Sequence, residues 1–527
     1  MVATGVAARG RDDAEVVVVG SGMAGSVFAA ILAEAGRTVT MLEAGAPRAL
    51  SDLYSSQLWA RRLKWSGAPV LHEGNHQFGH NLNTGWGQGG AAIHHYATWP
   101  RMHEDVFRLR SEYGRGLDWP IGYDDLREHY DRVQAYVGLS GDAEAESWRP
   151  PSAPYDLPPM EVFGQGRAIA RGFEAMGLPL APYPAAILTE QRGSRAPCIY
   201  DGWCDAGCPI GSLANPLVTY QERALAAGAK LVTDRRVTRV LTEGDRATGV
   251  EWSTSACEPG RTDGQVVVLA TSAIQNPRIL LASPDPRTGR AVGDRGDALG
   301  RYFCLDSLAL AYGLFEDETE PHRGVSAGQM MHRAVHDDGS DRPFGGYQWQ
   351  VAPAMKPNDI FGVAMSRPDL FGAPLDAFLR DATRHLGSMV AMIEETARWE
   401  NRIELATETD ACGMPLARVF HSFDEEALAL WSYVNDQGRA VMKAAGAREH
   451  WSGLMGAGHL IGGTVMGEAP ETSVTDGCGR VHDTANLLLG GSGLFPASGG
   501  VSPTFTLTAL AERSARQVAE HWGTYAA

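Results

Sequence analysis

The segment 15–43 constrains the fold of this chain more than any other part of the sequence. It begins with a run of valines, EVVVV, which is typical of a buried parallel strand. The strand leads into the glycine-rich turn GSGMAG at residues 20–25, and the following SVFAAILAEAG predicts a helix that ends at Gly36. A second strand is predicted over residues 38–42. In this order the elements predict one βαβ unit of a parallel sheet.

The turn and the acidic residue after the second strand predict a dinucleotide-binding site. Gly20 permits a tight turn, Gly22 lets the backbone approach a pyrophosphate, and Gly25 lets the helix pack closely on the strand. The helix N-terminus offers unpaired N–H groups to phosphates. Glu43 lies 21 residues after Gly22, at a position where a carboxylate can accept hydrogen bonds from a ribose diol.

Charge and composition exclude several classes of partner. The chain has 527 residues, with 46 Lys and Arg against 63 Asp and Glu, and a formal net charge of −17. Nucleic acids and anionic membranes need basic surface, so neither is expected as the main partner. No stretch of about 18 uncharged apolar residues occurs, which predicts no membrane insertion. The N-terminal MVATGVAARGRDDAE shows no apolar signal region, so a cytoplasmic location is expected.

Several further blocks resemble one flavoprotein family. They are the Gly89-Gly90 pair with the following AIHHYATWPR, then DWPIGYDDLREHY, CDAGCPIGSLANP, VVVLATSAIQNPRILLAS, and the C-terminal HLIGGTVMGEAPETSVTDGCGRVHDTANLLLGGSGLFPASGGVSPTFTLTALAERSA. Together with the N-terminal fingerprint they are similar to the glucose–methanol–choline (GMC) oxidoreductases. Within that family the chain most resembles the branch of pyranose oxidases, glycoside 3-oxidases and gluconate-type dehydrogenases. The resemblance implies FAD as cofactor and a sugar hydroxyl as hydride donor.

The expected fold is α/β with two domains. Residues 14–120, 195–304 and 451–527 are expected to form a discontinuous Rossmann-like FAD-binding domain. Residues 121–194 and 305–450 are expected to form an inserted α+β substrate-binding domain with cap and loop regions. Alternating segments such as SLALAYGLF, GGYQWQVA and RIELATE predict that its sheet is mainly antiparallel.

The resemblance assigns two residues to catalysis. The family's catalytic histidine corresponds to His459, which opens HLIGGTVMG; histidine suits a general base because its pKa lies near working pH. The family's second residue, an Asn or His before Pro-Thr, corresponds here to Ser502. A serine hydroxyl can donate one hydrogen bond and accept two, but it cannot act as a base near neutral pH. Another histidine, His482, lies at a position that the family fills variably, and we interpret it as structural.

Other residues are expected to contact the flavin. Gly490-Gly491-Ser492-Gly493 follows a predicted strand, and Gly491 and Ser492 are expected at the pyrophosphate or the flavin carbonyls. Val237 matches the place where relatives contact the adenine through the backbone. In pyranose oxidases a histidine at the position of His94, after Gly89 and Gly90, often carries the flavin covalently. A non-covalent contact and a packed histidine are the alternatives. His336 and Gln350 have no spacing signature that assigns them to a pocket.

Cysteine usage is low and uneven. Seven cysteines in a long chain do not indicate a disulfide scaffold. Cys198, Cys204 and Cys208 form C-x5-C-x3-C, which resembles the cysteines that hold a small iron–sulfur cluster in some dehydrogenases of this branch. The favoured interpretation is a loop without a cluster, and no metal site is expected.

The predicted activity is oxidation of a hydroxyl on a sugar or glycoside to the keto-sugar. His459 acts as the base, hydride goes to FAD, and O2 reoxidises the flavin. The first alternative is a dehydrogenase that passes electrons to a heme or quinone partner. Others are an enzyme acting on an aminoglycoside or another glycosylated natural product, which the negative charge would suit, and a lyase that binds FAD without net redox chemistry.

Overall fold

The computed structural model describes residues 14–64, 66–76, 82, 84–336 and 341–527. The strands within this part of the chain are β1 Ala14–Val19, β2 Val39–Leu42, β3 Leu71–Glu73, β4 Ala181–Pro182, β5 Lys230–Val232, β6 Arg236–Glu243, β7 Arg246–Ser253, β8 Pro259–Leu269, β9 Cys304–Leu314, β10 Met330–Ala334, β11 Tyr347–Val351, β12 Leu386–Ile393, β13 Arg402–Thr409, β14 Pro415–Phe420, β15 Glu449–Ser452, β16 Gly456–Ile461 and β17 Leu487–Leu489. The α-helices are α1 Met23–Glu34, α2 Gln57–Lys64, α3 Leu109–Tyr113, α4 Asp124–Val137, α5 Gly164–Ala175, α6 Tyr220–Ala226, α7 Gln275–Leu281, α8 Pro357–Ala364, α9 Ala373–His385, α10 Glu425–Ala444, α11 Thr504–Glu520 and α12 Trp522–Ala526.

The first sheet is built around β1. Its order is β5-β2-β1-β8-β7-β6, and β17 also pairs with β8. The pairs among β5, β2, β1, β8 and β17 are parallel, whereas β6, β7 and β8 pair antiparallel. The valines of β1 are fully buried because α1 connects β1 to β2 and α1 packs against α6 and α11. The βαβ unit predicted from the valine run and the glycine turn is therefore present.

The second sheet is antiparallel throughout. Its order is β15-β9-β12-β11-β10-β4, and β16 also pairs with β9. The helices α5 and α10 contact this sheet. A third, three-stranded sheet has the order β13-β14-β3. An α/β fold with a Rossmann-like part and a mainly antiparallel second sheet is confirmed.

The assignment of segments to domains stays a prediction. The strands of the second sheet nevertheless extend past the domain boundary predicted after residue 450. Most strands of the second sheet come from residues 305–450, as expected. However, β15 and β16 extend that sheet to Ile461, whereas the predicted segmentation places residues 451–461 in the FAD-binding domain. The chain thus returns to the first sheet only with β17.

One disulfide joins two hairpin turns. Cys257, between β7 and β8, is bonded to Cys412, between β13 and β14, across 155 positions of sequence. Asp410, beside Cys412, pairs with Arg278 at 2.9 Å and with Arg236 at 3.2 Å. The bond therefore links the antiparallel edge of the first sheet to the third sheet.

None of the described helices is both long enough and apolar enough to cross a bilayer.

Candidate active site

A cavity of about 670 Å³ extends from the turn between β1 and α1 to the second sheet. Ten of the twelve predicted site residues line it: Gly20, Gly22, Glu43, Gly90, His94, Val237, His459, Gly491, Ser492 and Ser502. The two others, Gly25 and Gly89, lie behind this surface. Residues that are up to 482 positions apart are thus brought to one cavity, and the roles predicted for them remain proposals.

The glycine turn leaves room at the N-terminus of α1. A Cβ atom added at Gly22 would meet no heavy atom within 4 Å, so this backbone faces open cavity. At Gly25 the same Cβ would lie 2.0 Å from the carbonyl oxygen of Gly20, which explains why only glycine lets the helix pack there. Open backbone at the N-terminus of a helix is the environment that a pyrophosphate requires.

Both carboxylate oxygens of Glu43 accept hydrogen bonds from the surrounding loops. Its Oε2 accepts hydrogen bonds from the N–H and the hydroxyl of Ser21 at 3.1 and 2.8 Å. Its Oε1 accepts from the N–H groups of Gly45 and Gly87 at 2.9 and 3.0 Å. A carboxylate has about four lone-pair sites, so a ribose hydroxyl would share them with these donors. Glu43 therefore also organises the loops at the nucleotide end of the cavity.

The Gly89-Gly90 pair packs against the same turn. Gly89 has a φ of 87°, and its N–H donates to the Ser21 hydroxyl at 3.1 Å. A Cβ at Gly90, where φ is 57°, would lie 3.1 Å from the Cα of Gly22. Both positions need glycine because of the left-handed backbone and because of close approach, since a Cβ at Gly89 would lie 2.4 Å from Cδ1 of Ile93.

His94 is buried beside the cavity and is neutral. Burial, followed by the nearby Lys64 ammonium, lowers the pKa of His94 to about 3. Its Nε2 atom is buried and has no hydrogen-bond partner among the described residues. Lys64 itself is held by the Tyr96 hydroxyl and Asp205 at 3.2 Å each. His95 is different, because its two ring nitrogens contact the carbonyl of Ala214 and the N–H of Ala97.

His459 projects from an irregularity in the second sheet. The pairing of β16 with β9 shifts between Gly458 and Leu460, and His459 has a φ of 45°. Its Nδ1 lies 2.7 Å from Oδ2 of Asp306, which is fully buried on β9. Because a carboxylate accepts, Nδ1 carries the proton, and Nε2 of the neutral ring keeps its lone pair. The His459 side chain is 24% exposed, so it can be reached from the cavity.

Sequence reasoning did not find Asp306. The only local signal is one acidic residue in the otherwise apolar strand CLDSLALAYGL. Burial raises the pKa of Asp306, while the contact with His459 lowers it. A fully buried acid in a strand calls for a partner, and this signal could have been used.

Ser502 lines the same cavity as His459. It is 4% exposed and precedes α11, which begins at Thr504. Gln350 and Thr98 also line the cavity, and the buried Tyr183 lies beside these three side chains. Burial raises the pKa of the Tyr183 hydroxyl above its usual range. Hydrogen bonding with Thr98, Gln350 and Ser502 lowers this pKa but does not offset the effect of burial. Gln350 thus belongs to a polar cluster that its sequence position did not indicate.

The C-terminal glycine turn is tied to the strand that carries His459. The hydroxyl of Ser492 donates to the carbonyl of Leu460 at 2.6 Å, and the N–H of Gly462 donates to the carbonyl of Ser492 at 3.1 Å. These bonds hold Gly491 and Ser492 at the cavity between its nucleotide end and its His459 end.

The cysteines at positions 198, 204 and 208 are free thiols. Burial raises the pKa of Cys198 to about 12, and it also raises the pKa values of Cys204 and Cys208. In the described part of the chain, no group of three or more His, Cys, Asp or Glu side chains is arranged to hold a metal ion.

Comparison with known protein families identifies the family of this chain. Residues 15–295 match the N-terminal profile and residues 362–511 the C-terminal profile of one family, GMC oxidoreductase. The chain belongs to the GMC oxidoreductase family. It is accordingly an enzyme of oxidation and reduction, as the sequence motifs predicted.

Relatives of GMC type align over nearly the whole chain. The 2-methyl-1,2-propanediol dehydrogenase of Mycolicibacterium austroafricanum is 29% identical, with 95% of this chain and 94% of that protein covered. The fructose dehydrogenase large subunit of Gluconobacter japonicus is 27% identical, with 95% and 97% covered. The paromamine 6'-oxidase of Streptomyces fradiae is also 27% identical, with 97% and 92% covered.

Solved structures confirm the fold. The pyridoxine 4-oxidase from Mesorbium loti superposes with a TM-score of 0.67 at 17% identity, covering 97% of this chain and 100% of that one. Membership of the GMC family implies FAD, and the cavity fits it. Open backbone at Gly22 would receive the pyrophosphate, and Glu43 and Val237 would flank the ribose and adenine.

Proposed function

We propose that this enzyme oxidises a hydroxyl group of a neutral sugar or glycoside, with His459 as the general base. The observation that carries the proposal is the His459–Asp306 pair at the end of the FAD-sized cavity, with a hydrogen bond of 2.7 Å. The pair directs Nδ1 of His459 toward the carboxylate and leaves Nε2 available to accept a proton. Such a group can take a hydroxyl proton near neutral pH.

The chain's own residues handle the proton. His459 takes the proton of the substrate hydroxyl on Nε2, and the imidazolium that results is stabilised by the buried carboxylate of Asp306. Ser502 and Gln350 orient the substrate through hydrogen bonds at the same end of the cavity. FAD, when bound, supplies the acceptor for the hydride that leaves the substrate carbon.

The charges around the cavity favour a neutral substrate over an aminoglycoside. Among the described lining residues Glu43 is the only carboxylate, and it lies at the nucleotide end with its oxygens already bound. Lys64 and Arg236 also line the cavity, but they are already paired with Asp205 and Asp410. An amino group of a substrate would therefore find no unpaired carboxylate among the described lining residues.

An anaerobic screen tests the proposed activity. D-fructose, a methyl glucoside, 2-methyl-1,2-propanediol and paromamine are mixed with the enzyme, and loss of oxidised flavin absorbance is followed. We expect bleaching by a neutral sugar or glycoside and little by paromamine. Bleaching by paromamine alone would favour the aminoglycoside alternative, and no bleaching by any alcohol would favour a lyase.

For the electron acceptor we propose O2, which predicts one H2O2 for each substrate oxidised. Turnover only with a quinone or a cytochrome would instead establish the dehydrogenase alternative. The cytoplasmic location also stays a prediction. The Cys257–Cys412 bond is more typical of an oxidising compartment, and thiol titration of the native protein would show whether it forms.

We further propose that His94 holds the flavin covalently. The support is a neutral imidazole at the cavity wall with an Nε2 atom that has no described partner. Acid precipitation of the wild type should leave the flavin with the protein, and in His94→Ala it should release the flavin into solution. Release from both proteins would establish a non-covalent contact.

Ser502 should contribute modestly through hydrogen bonding. Ser502→Ala is expected to slow flavin reduction about 2- to 13-fold, since a neutral hydrogen bond is worth roughly 0.5–1.5 kcal/mol. Ser502→Asn, which restores the usual family residue, should retain activity if the pocket has room for the amide. Stopped-flow reduction measures both, with Ser473→Ala as a buried-serine control distant from the cavity. If alanine is silent and asparagine inactive, the role of Ser502 is steric.

A further inference from the structure

A row of polar side chains crosses the second sheet, beginning at His459 and continuing through Asp306 to Glu394. Asp306 on β9 is paired with Gly458 of β16, next to His459. On its other side β9 pairs with β12 as far as Ser307 opposite Ile393, so the next residues along the two strands are Asp306 and Glu394. Residues directly opposite each other in an antiparallel pair share a face, with Cβ atoms about 4.5–5.5 Å apart. Glu394 is therefore the cross-strand neighbour of Asp306.

Both carboxyl groups are buried, and each has one oxygen without a bond. Asp306 is fully buried and Glu394 is 3% exposed. Oδ1 of Asp306 and Oε1 of Glu394 have no partner at normal hydrogen-bond geometry among the described residues, although the Ser498 hydroxyl is close enough to Asp306 to lower its pKa. Burial raises the pKa of Asp306, and the negative charge of Glu394 raises it further. The two acids thus interact electrostatically.

A second buried histidine keeps Glu394 in place. Oε2 of Glu394 accepts from the N–H of Gly346 at 2.8 Å and pairs with Nε2 of His336. The Nδ1 of His336 lies 2.8 Å from Asp105, and Asp105 lies 2.8 Å from Nδ1 of His103, whose side chain is 27% exposed. Burial would lower the pKa of His336, but the carboxylates of Glu394 and Asp105 raise it to about 10. His336 is thus a cation that pairs with the carboxyl group of Glu394.

Two more ionisable groups surround these acids. Arg333 on β10 is buried and donates to the carbonyl of Arg101 at 2.8 Å; burial lowers its pKa, and Asp105 and Glu394 raise it. The Cys304 thiol, at the start of β9, has a pKa well above its usual range because of burial and then because of Glu395, Asp306 and Glu394. Cys304 is therefore neutral, and the cations in this region are His336 and Arg333.

We propose that Glu394 is a positioning residue of the base, which acts on His459 through Asp306 and is held by His336. The inference rests on the proposed role of His459. A fixed negative charge behind Asp306 favours the protonated form of His459, because opposite charges stabilise each other most in a buried site. Glu394 thereby sets the pH range in which His459 can accept the substrate proton.

The test compares Glu394→Gln with Glu512→Gln in the holoenzyme. Glu512 is a matched control, because it is 2% exposed and its carboxylate pairs with a histidine, His129, on another helix. Diethyl pyrocarbonate, which modifies neutral imidazole, is the probe, and mass spectrometry follows the peptide that contains His459 from pH 5 to 8. This readout needs no substrate, so it is independent of the proposed activity.

We expect the midpoint of the His459 modification profile to move down by on the order of 0.5–1 pH unit in Glu394→Gln and to stay in place in Glu512→Gln. In an Asp306→Asn background the shift caused by Glu394→Gln should be smaller. If Glu394→Gln does not fold, Glu394→Gln with His336→Gln removes both charges of the pair and should shift the midpoint in the same direction. An unchanged or raised midpoint, or equal shifts for both glutamates, overturns the proposal.

Discussion

Replacement of His459 by alanine should lower the rate of flavin reduction by about 10²- to 10⁴-fold, the range that general-base catalysis contributes. The physical reason is the loss of the one imidazole that lines the cavity beside a buried carboxylate and keeps a nitrogen available. FAD should stay bound, whereas the thermal unfolding midpoint should fall, because the fully buried Asp306 loses its histidine partner. Anaerobic stopped-flow absorbance measures the rate.

His482→Ala is the matched control for that variant. His482 contacts the hydroxyl of Ser473 at 2.9 Å and does not line the cavity, so its removal should change flavin reduction little. Near-normal reduction in His459→Ala would refute the assignment of the base. Equal losses in both histidine variants would point to a general effect on folding.

Gly22→Val should abolish FAD binding while the protein still folds. The added side chain meets no protein atom near its Cβ position, because it projects into the cavity at the N-terminus of α1. There it occupies the space in which a pyrophosphate would contact the backbone. We expect a colourless protein with near-wild-type circular dichroism, and flavin content per chain is the measurement.

Gly362→Val controls for the general cost of valine at a glycine site. Gly362 lies in α8, its Cβ position is also open, and it is not among the cavity-lining residues. This variant should remain yellow and carry a full complement of FAD. A flavin-loaded Gly22→Val protein would show that the glycine turn does not receive the cofactor.

Local patterns were sufficient for the elements with strong sequence signals. The valine run, the glycine turn and the helix ending near Gly36 appear in the structure as β1 and α1. The amphipathic run DDLREHYDRVQAYV forms α4, and the glycine that follows it, Gly138, ends the helix in the left-handed conformation. Such signals are short-range, because strand burial, helix caps and tight turns depend on neighbouring residues.

The local sequence patterns did not predict which distant strands pair with each other. The sequence run KLVTDRRVTRVL at residues 230–241 forms two strands, β5 and β6, in different positions of the first sheet. β8 pairs antiparallel with β7, but its last residues also pair in parallel with β1. Hydrophobic alternation fixes which face of a strand is buried, and it does not specify the neighbour.

The sequence alone thus determined the cofactor class, the family and the residues His459 and Ser502 that the family's motifs mark. Only the tertiary structure decided what surrounds them. Asp306 reaches His459 from 153 positions away, and Glu394 lies beside Asp306 because of the register between β9 and β12. A buried charge is stable only beside a partner, and the long-range register of an antiparallel sheet determines which partner it has.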